Sequence, residues 1–428
     1  MKTSRYNYFI PYGDKHIFFN GLTKRFFFVS DKNCPRFIDI ITNPGEESYQ
    51  EKYAPFLERM KSEGFVLEDN VDEMELVRNE FEQQRYSDQY MLMILPTYQC
   101  NLRCWYCVQE HQNVNMTDET VIRIKKHIKK YLLDSGVKRF RLSWFGGEPL
   151  LAYKKLTDIT IFSKNFCEKN NIRFFCDITT NSLLLTSERI KELGEIGVLS
   201  FQITIDGCRE KHNQVKQNKN NSAFDQAVNN VLEIVKTIPN ANCTLRINYS
   251  DKTLEPGKIM HDVNLLIPLE YRKYIKIAPC KIWQIKDSDI SKEKVSELDS
   301  IIRRKSYKVN ILERALCYVD YTHFNCVFPN GKIGKCDNDK LENAKGILTE
   351  SGDIVWDIPY PYELHQSLEE NSKCSHCKHL PYCMGPCPFK RDEMIGKFGK
   401  IVCQYSDADN AIESSIIRYC ENCSNINN

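Results

Sequence analysis

The stretch that decides the reading is Met91-Leu92-Met93-Ile94-Leu95-Pro96-Thr97-Tyr98-Gln99-Cys100-Asn101-Leu102-Arg103-Cys104-Trp105-Tyr106-Cys107. Met91 to Leu95 is an unbroken apolar run of strand length, which reads as a buried strand. The three cysteines therefore fall in the loop leaving the strand's carboxyl end, where α/β enzymes hold their ligands. Three thiolates in such a loop can wrap one corner of a [4Fe-4S] cube and ligate three of its irons, whereas an electron-carrying cluster is normally held by four cysteines. One iron then has no ligand from the protein. The same cysteines with His111 also make a Cys₃His zinc set, and on the triplet alone both readings stand.

A second segment, Arg139 to Phe145, alternates polar and apolar residues and runs into Gly146-Gly147-Glu148-Pro149. Paired glycines let the backbone approach a ligand with no Cβ in the way. The pattern Cys-x₃-Cys-x-aromatic-Cys, with Tyr106 as the aromatic, together with Gly-Gly-Glu-Pro, resembles the radical S-adenosylmethionine (SAM) enzymes. The resemblance implies that SAM chelates the free iron through its amino and carboxylate groups and is cleaved reductively. It also implies that Tyr106 lies near the adenine and that Gly146, Gly147 and Glu148 hold the methionine amino group.

From Thr117 to Leu133, Val121, Ile124, Ile128 and Tyr131 recur at helical spacing, with Asp118 and Glu119 favouring the helix start. Strands near 139–145, 173–179, 200–205, 242–248 and 274–278 alternate with helices at 153–170, 186–195 and 222–236. Such alternation predicts βα units and an α/β parallel sheet, about six units between residues 90 and 305. The resemblance implies a partial (β/α)₆ barrel. Asn181 and Asp206 end two of these strands, where a ribose or carboxylate would be met, although Asn and Asp-Gly are also ordinary turn residues. Arg246 is placed to pair with a carboxylate.

Nineteen cysteines and a net charge of +2 in 428 residues bound the rest. The charge balance gives no field for nucleic acid or an anionic membrane, and no run of eighteen apolar residues predicts a membrane span. A cytoplasmic chain is expected, in which cysteines are metal ligands rather than disulfides. Toward the C-terminus Cys317, Gly331-x₄-Cys336, Cys374-x₂-Cys377-x₅-Cys383-x₃-Cys387 and Cys403 resemble the seven-cysteine SPASM domain of peptide-modifying enzymes, over roughly 306–405. Cys326 adds an eighth thiol, and eight saturate two [4Fe-4S] clusters. The resemblance assigns Cys317, Cys326, Cys336 and Cys387 to one auxiliary cluster and Cys374, Cys377, Cys383 and Cys403 to the other. Two Cys₄ zinc sites are the alternative, and a Cys326 that is merely a small buried residue would leave one iron open. Asp337, next to Cys336, matches a proposed general base of sulfatase-maturing relatives, or else belongs to a surface turn.

In the first ninety residues Phe18-Phe19 and Phe26 to Val29 flank Asn20-Gly21, a hairpin signal, and helical patterns follow at about 46–61 and 72–86. This resembles the winged-helix-like peptide-recognition module of peptide-modifying members, which binds a leader peptide as an added strand. A purely structural cap is the alternative. The expected architecture is thus a peptide-recognition domain over 1–88, a radical SAM partial barrel over 89–305, and a cysteine-rich SPASM domain with a tail over 306–428. The expected function is oxidative modification, such as crosslinking, of a ribosomally made precursor peptide, with SAM, three [4Fe-4S] clusters and a reductant such as flavodoxin or ferredoxin. An anaerobic sulfatase maturase and a zinc-stabilised adaptor without catalysis are the alternatives.

Overall fold

The phenylalanine-rich N-terminus folds as an antiparallel meander. After a two-residue β1 (Lys2–Thr3), strands β2 (Asn7–Tyr12), β3 (Lys15–Asn20) and β4 (Phe26–Ser30) pair in that order. The loop between β3 and β4 is organised by the buried Asn20, whose Oδ1 accepts from the Leu22 and Thr23 backbone N–H groups at 3.0 and 2.9 Å. Helices α1 (Cys34–Thr42), α2 (Glu47–Lys52) and α3 (Ala54–Ser62) follow, then β5 (Val66–Leu67), which pairs with β1, and α4 (Glu73–Arg85). The helical pattern at 46–61 is divided at Tyr53 because Pro55 opens the next helix, where its missing N–H costs nothing.

The computed structural model describes residues 1–109, 111–216, 222–282, 284–285, 290–308, 316–339, 341, 344–357, 373–383, 385–388, 394, 397, 403 and 408–426. The chain divides into two units: Met1–Ser87 with Ile311–Thr322 and Pro361–Asn428, and Asp88–Asn310 with His323–Tyr360. Within the first unit, Leu380 and Cys374 join Tyr6, Met74, Val77, Phe81 and Leu316 in one apolar cluster. The helix Ala408–Ile426 places Ile416 and Cys420 against Tyr8, Ile17 and Phe19.

The second unit is built on β6 (Gln89–Ile94), α5 (Asp118–Asp134), β7 (Arg139–Trp144), α6 (Tyr153–Lys169), β8 (Arg173–Thr180), α7 (Ser187–Glu195), β9 (Val198–Ile205), α8 (Arg209–Lys216), α9 (Ala223–Thr237), β10 (Asn242–Tyr249), α10 (Pro256–Leu266), α11 (Leu269–Arg272), β11 (Ile275–Lys281) and α12 (Lys292–Arg304). Strands β6 to β11 lie side by side in chain order, every neighbouring pair parallel. The run Met91 to Ile94 is accordingly in a strand, which ends before Leu95, with Tyr90, Leu92 and Ile94 wholly buried and Met91 and Met93 half-buried. Thr117 caps α5 by accepting from the Thr120 N–H at 3.2 Å, and Ile124 and Ile128 turn to the core with no exposure.

The sheet does not end at β6. Strand β12 (Phe324–Val327) pairs parallel with β6, setting Cys326 beside Met93, and β13 (Lys332–Gly334), β14 (Gly346–Leu348) and β15 (Ile354–Trp356) extend it antiparallel to ten strands. The result is an α/β fold with a large, mostly parallel sheet. Parallel strands require helical crossovers, which bury the sheet and supply its core.

Candidate functional site

Because every strand from β6 to β11 points the same way, the loops that leave their carboxyl ends gather on one edge of the sheet. The β6 loop carries Cys100, Cys104 and Cys107, and the β7 loop folds directly onto it. Gly147 N donates to Thr97 O at 3.0 Å and Glu148 N to Gln99 O at 2.8 Å. The two glycines are required by this approach. A Cβ on Gly147 would stand 2.1 Å from Gln99 O, and one on Gly146, whose φ is +116°, would stand 2.7 Å from Thr97 O.

Glu148 is wholly buried, and burial pushes its carboxyl up from the usual carboxylate range. Its oxygens accept from Leu150 N at 3.0 Å, Thr180 Oγ1 at 2.8 Å and Asn181 N at 2.9 Å. Three of roughly four acceptor sites are thus used by the protein, so Glu148 clamps the β7 loop to the β8 loop. Asn181 continues the connection, donating from Nδ2 to Asn101 Oδ1 at 2.7 Å and lying 3.6 Å from Cys100 Sγ.

Tyr106 sits at the centre of a buried polar network. Its hydroxyl donates to Asp206 Oδ1 in a short bond and receives Asn248 Nδ2 at 3.2 Å and Lys216 Nζ at 3.3 Å. Arg246 enters indirectly, its Nε donating to Asn248 Oδ1 at 2.8 Å. Gln284 Nε2 donates to the Tyr106 carbonyl at 2.8 Å. Asp206 is 1% exposed and Lys216 5%, with 2.9 Å between them, and the ammonium also lies 3.3 Å from Cys104 Sγ. Burial alone would lower the lysine, but the charges of Asp206, Tyr106 and Cys104 outweigh it and hold Lys216 protonated well above its ordinary range. His212 supports Asp206 from behind: its Nδ1 accepts the Asp206 backbone N–H at 3.0 Å, and burial depresses the ring to about 3.

The structure thus brings Cys100, Cys104, Tyr106, Gly147, Glu148, Asn181 and Asp206 into one connected site, with Arg246 attached through Asn248. Sequence reasoning missed Lys216, His212, Asn248 and Gln284. Helix α8 reads Arg209-Glu210-Lys211-His212-Asn213-Gln214-Val215-Lys216, and nothing in so polar a run shows that His212 and Lys216 are buried. The adjacent Asp206-Gly207 was the one available signal.

All three thiols of the triplet are free, and burial raises Cys100 to about 11 and Cys107 above its usual range. Buried thiols of this kind ionise when a metal replaces the proton, and this donor set suits a cluster. Among the described residues no three metal-ligating side chains converge on one point, which a cube does not require because each thiolate takes a different iron. His111, the fourth member of the zinc alternative, has a left-handed backbone with φ 51° and, among the described residues, its buried ring nitrogens have no hydrogen-bond partner.

Of the C-terminal thiols, Cys326 and Cys336 belong to the second unit, where Cys326 is wholly buried in β12 and is raised by burial, then by the nearby Asp337, Cys336 and Asp339. Asp337 follows Cys336 in a turn and accepts Gln109 Nε2 on its carbonyl at 3.1 Å. Its neighbour Asp339 is the carboxyl that burial lifts, to about 6. Of the eight candidate auxiliary ligands the other six, Cys317, Cys374, Cys377, Cys383, Cys387 and Cys403, belong to the first unit. Cys383 is raised to about 11 by burial, and its neighbours Cys374, Cys377 and Cys403 add to the effect. That segment is fastened to the N-terminal strands by Arg5 Nη1 on Ser375 O at 2.7 Å and by Tyr8 Oη, 3.0 Å from His379 Nδ1.

Residues 94–256 match the radical SAM superfamily, an interval that holds the cysteine triplet, both glycines, Asp206, Lys216 and Arg246. The chain carries a radical SAM domain. That domain implies SAM and a [4Fe-4S] cluster, for which Cys100, Cys104 and Cys107 have the fitting chemistry. The chain is similar to GTP 3',8-cyclase of Clostridium perfringens, 34% identical over 125 residues, 28% of this chain and 35% of that protein. It is also similar to GTP 3',8-cyclase of Campylobacter jejuni, 27% identical over 277 residues, 60% of this chain and 78% of that protein. The chain spans about a third of the length of the first of these curated relatives. Among solved structures, native anSMEcpe with bound AdoMet and Kp18Cys peptide shares the fold, with a TM-score of 0.56 at 16% identity, covering 77% of this chain and 96% of that one. Among the described residues no helix is long and apolar enough to cross a membrane.

Proposed function

We propose that the chain is a radical SAM enzyme that oxidatively modifies a ribosomally made precursor peptide. The observation that carries the first half is the β7 loop seated on the cysteine loop, with Gly147 and Glu148 bonded to the Thr97 and Gln99 carbonyls. When bound, the cluster and SAM supply a 5'-deoxyadenosyl radical for hydrogen abstraction. The protein's residues do the positioning. Cys100, Cys104 and Cys107 are the cluster ligands, Gly146 and Gly147 let the β7 loop pack directly on the cysteine loop, and Glu148 locks that packing by tying three loops together. Tyr106 and Asn181 line the cofactor side, and Asp206 and Arg246 meet polar groups of cofactor or substrate.

Support for a peptide substrate comes from the three-stranded N-terminal sheet, whose outer strand β4 has a free edge among the described residues, and from a fold neighbour that holds a peptide. In this reading residues 1–88 form the winged-helix-like recognition domain and bind the leader, 89–305 the catalytic domain, and 306–428 the SPASM domain. Cys374, Cys377, Cys383 and Cys403 hold one auxiliary [4Fe-4S] cluster, consistent with the mutual influence of their thiols. Cys326 and Cys336 serve another, and Asp337 takes up a proton when the substrate is oxidised. A flavodoxin or ferredoxin supplies the electrons.

The test is anaerobic incubation of the reconstituted chain with SAM and the small peptide encoded beside its gene. A peptide lighter by two hydrogens is expected. Formation of 5'-deoxyadenosine with the peptide's mass unchanged would refute the oxidative reading. Oxidation of a cysteine-containing sulfatase peptide in its place would assign the chain as a sulfatase maturase.

A further inference from the structure

We infer that Lys216 sets the reduction potential of the cluster held by Cys100, Cys104 and Cys107, acting through a direct N–H···S contact to Cys104. The inference rests on the cluster assignment proposed above. Its basis is geometric: Nζ lies 3.3 Å from Cys104 Sγ, within the range of a hydrogen bond to sulfur. The ammonium has further partners beside that contact. It is fixed by Asp206 at 2.9 Å and by the Tyr106 hydroxyl at 3.3 Å, on a side chain only 5% exposed.

Reducing the cluster by one electron makes it more negative by one charge, and no bond forms or breaks. Any positive charge near its sulfurs stabilises the reduced form more than the oxidised one, and a hydrogen bond to the thiolate withdraws electron density in the same sense. Among the described residues Cys100 receives only neutral donors, the Leu102 N–H at 3.4 Å and Asn181 Nδ2 at 3.6 Å. Cys104 receives a full charge, removed from the screening of bulk water. Asp206 opposes that charge, but the pair acts as a dipole whose ammonium end is the one touching sulfur. Tyr106 draws the carboxylate the other way by donating to Oδ1. His212, on the Asp206 backbone N–H, fixes the residue from which the dipole starts.

Lys216 is therefore a positioning and tuning residue, and its readout is a potential rather than turnover. The experiment is an EPR-monitored redox titration, without SAM, of the anaerobically reconstituted full chain as wild type, Lys216→Met, Lys216→Gln and Lys216→Arg. At a fixed poise near the wild-type midpoint, the ratio of reduced to oxidised cluster should fall at least threefold in Lys216→Met and in Lys216→Gln. It should stay within threefold in Lys216→Arg, which keeps the charge. A Lys216→Met ratio within threefold of wild type would overturn the inference. Should Lys216→Met fail to fold, the Lys216→Gln ratio decides alone, and no fall there overturns it. Absence of iron and sulfide from the reconstituted wild type would instead sink the cluster assignment beneath it.

Discussion

His212 makes the second unit's stability depend on pH in a direction that can be worked out beforehand. Its Nδ1 accepts the Asp206 N–H at 3.0 Å and its other side is bonded to the Ala223 backbone, so the folded ring has no place for an extra proton. Burial, reinforced by the Lys216 charge, moves the ring from 6.5 to about 3. In the unfolded chain the imidazole takes up a proton below its ordinary value. Between the two values the unfolded state binds more protons, so the stabilisation is complete above about 6.5 and is lost as pH falls toward about 3. From about pH 7 to about pH 4.5 the loss is roughly 2.5 kcal/mol, at about 1.36 kcal/mol per unit. Trp105, Trp144 and Trp356 fall within the second unit, so urea unfolding followed by tryptophan fluorescence reports on it. The control is His212→Asn, whose Oδ1 can still accept from Asp206 but does not titrate. The wild type should lose roughly 2.5 kcal/mol more than His212→Asn over that interval. Parallel pH profiles for the two proteins would refute the account of His212 as a buried neutral acceptor.

Three further outcomes are expected. Gly147→Ala should lower the stability of the second unit by about 3 kcal/mol or more, because the new Cβ meets backbone at 2.1 Å, and should abolish SAM binding in calorimetry. Glu148→Gln should cost about 1–3 kcal/mol in urea unfolding, since an amide NH₂ replaces an acceptor that faces three donors. Cys104→Ala should eliminate 5'-deoxyadenosine formation measured by chromatography, whereas Cys377→Ala should leave it intact and lose peptide modification; equal loss in both would contradict separate roles for the two cysteine groups.

The alternation of strand and helix was legible because buried parallel strands and amphipathic crossovers leave opposite periodicities: β6 as an apolar run, α5 as Val121, Ile124 and Ile128. Gly146-Gly147 was legible as a close approach, though not what it approaches, which is the cysteine loop's own backbone. Three things were not legible. Short strands such as β12 carry too few residues to show a period, so its pairing with β6 depends on a partner some 230 residues away. Helix α1 was missed because Cys34 to Thr42 is short and stands just after a strand rich in the same apolar residues. Lys216 was invisible because its burial comes from Asp206, Tyr106 and Cys104, groups 10 to 112 positions away that only the folded chain brings together.

The most direct measurement of the central claim is the EPR spectrum of the dithionite-reduced, reconstituted chain recorded before and after SAM is added. Chelation of a cluster iron that the three cysteines leave free predicts a changed set of g-values in wild type and no cluster signal of that kind in Cys104→Ala. An unchanged wild-type spectrum would contradict it.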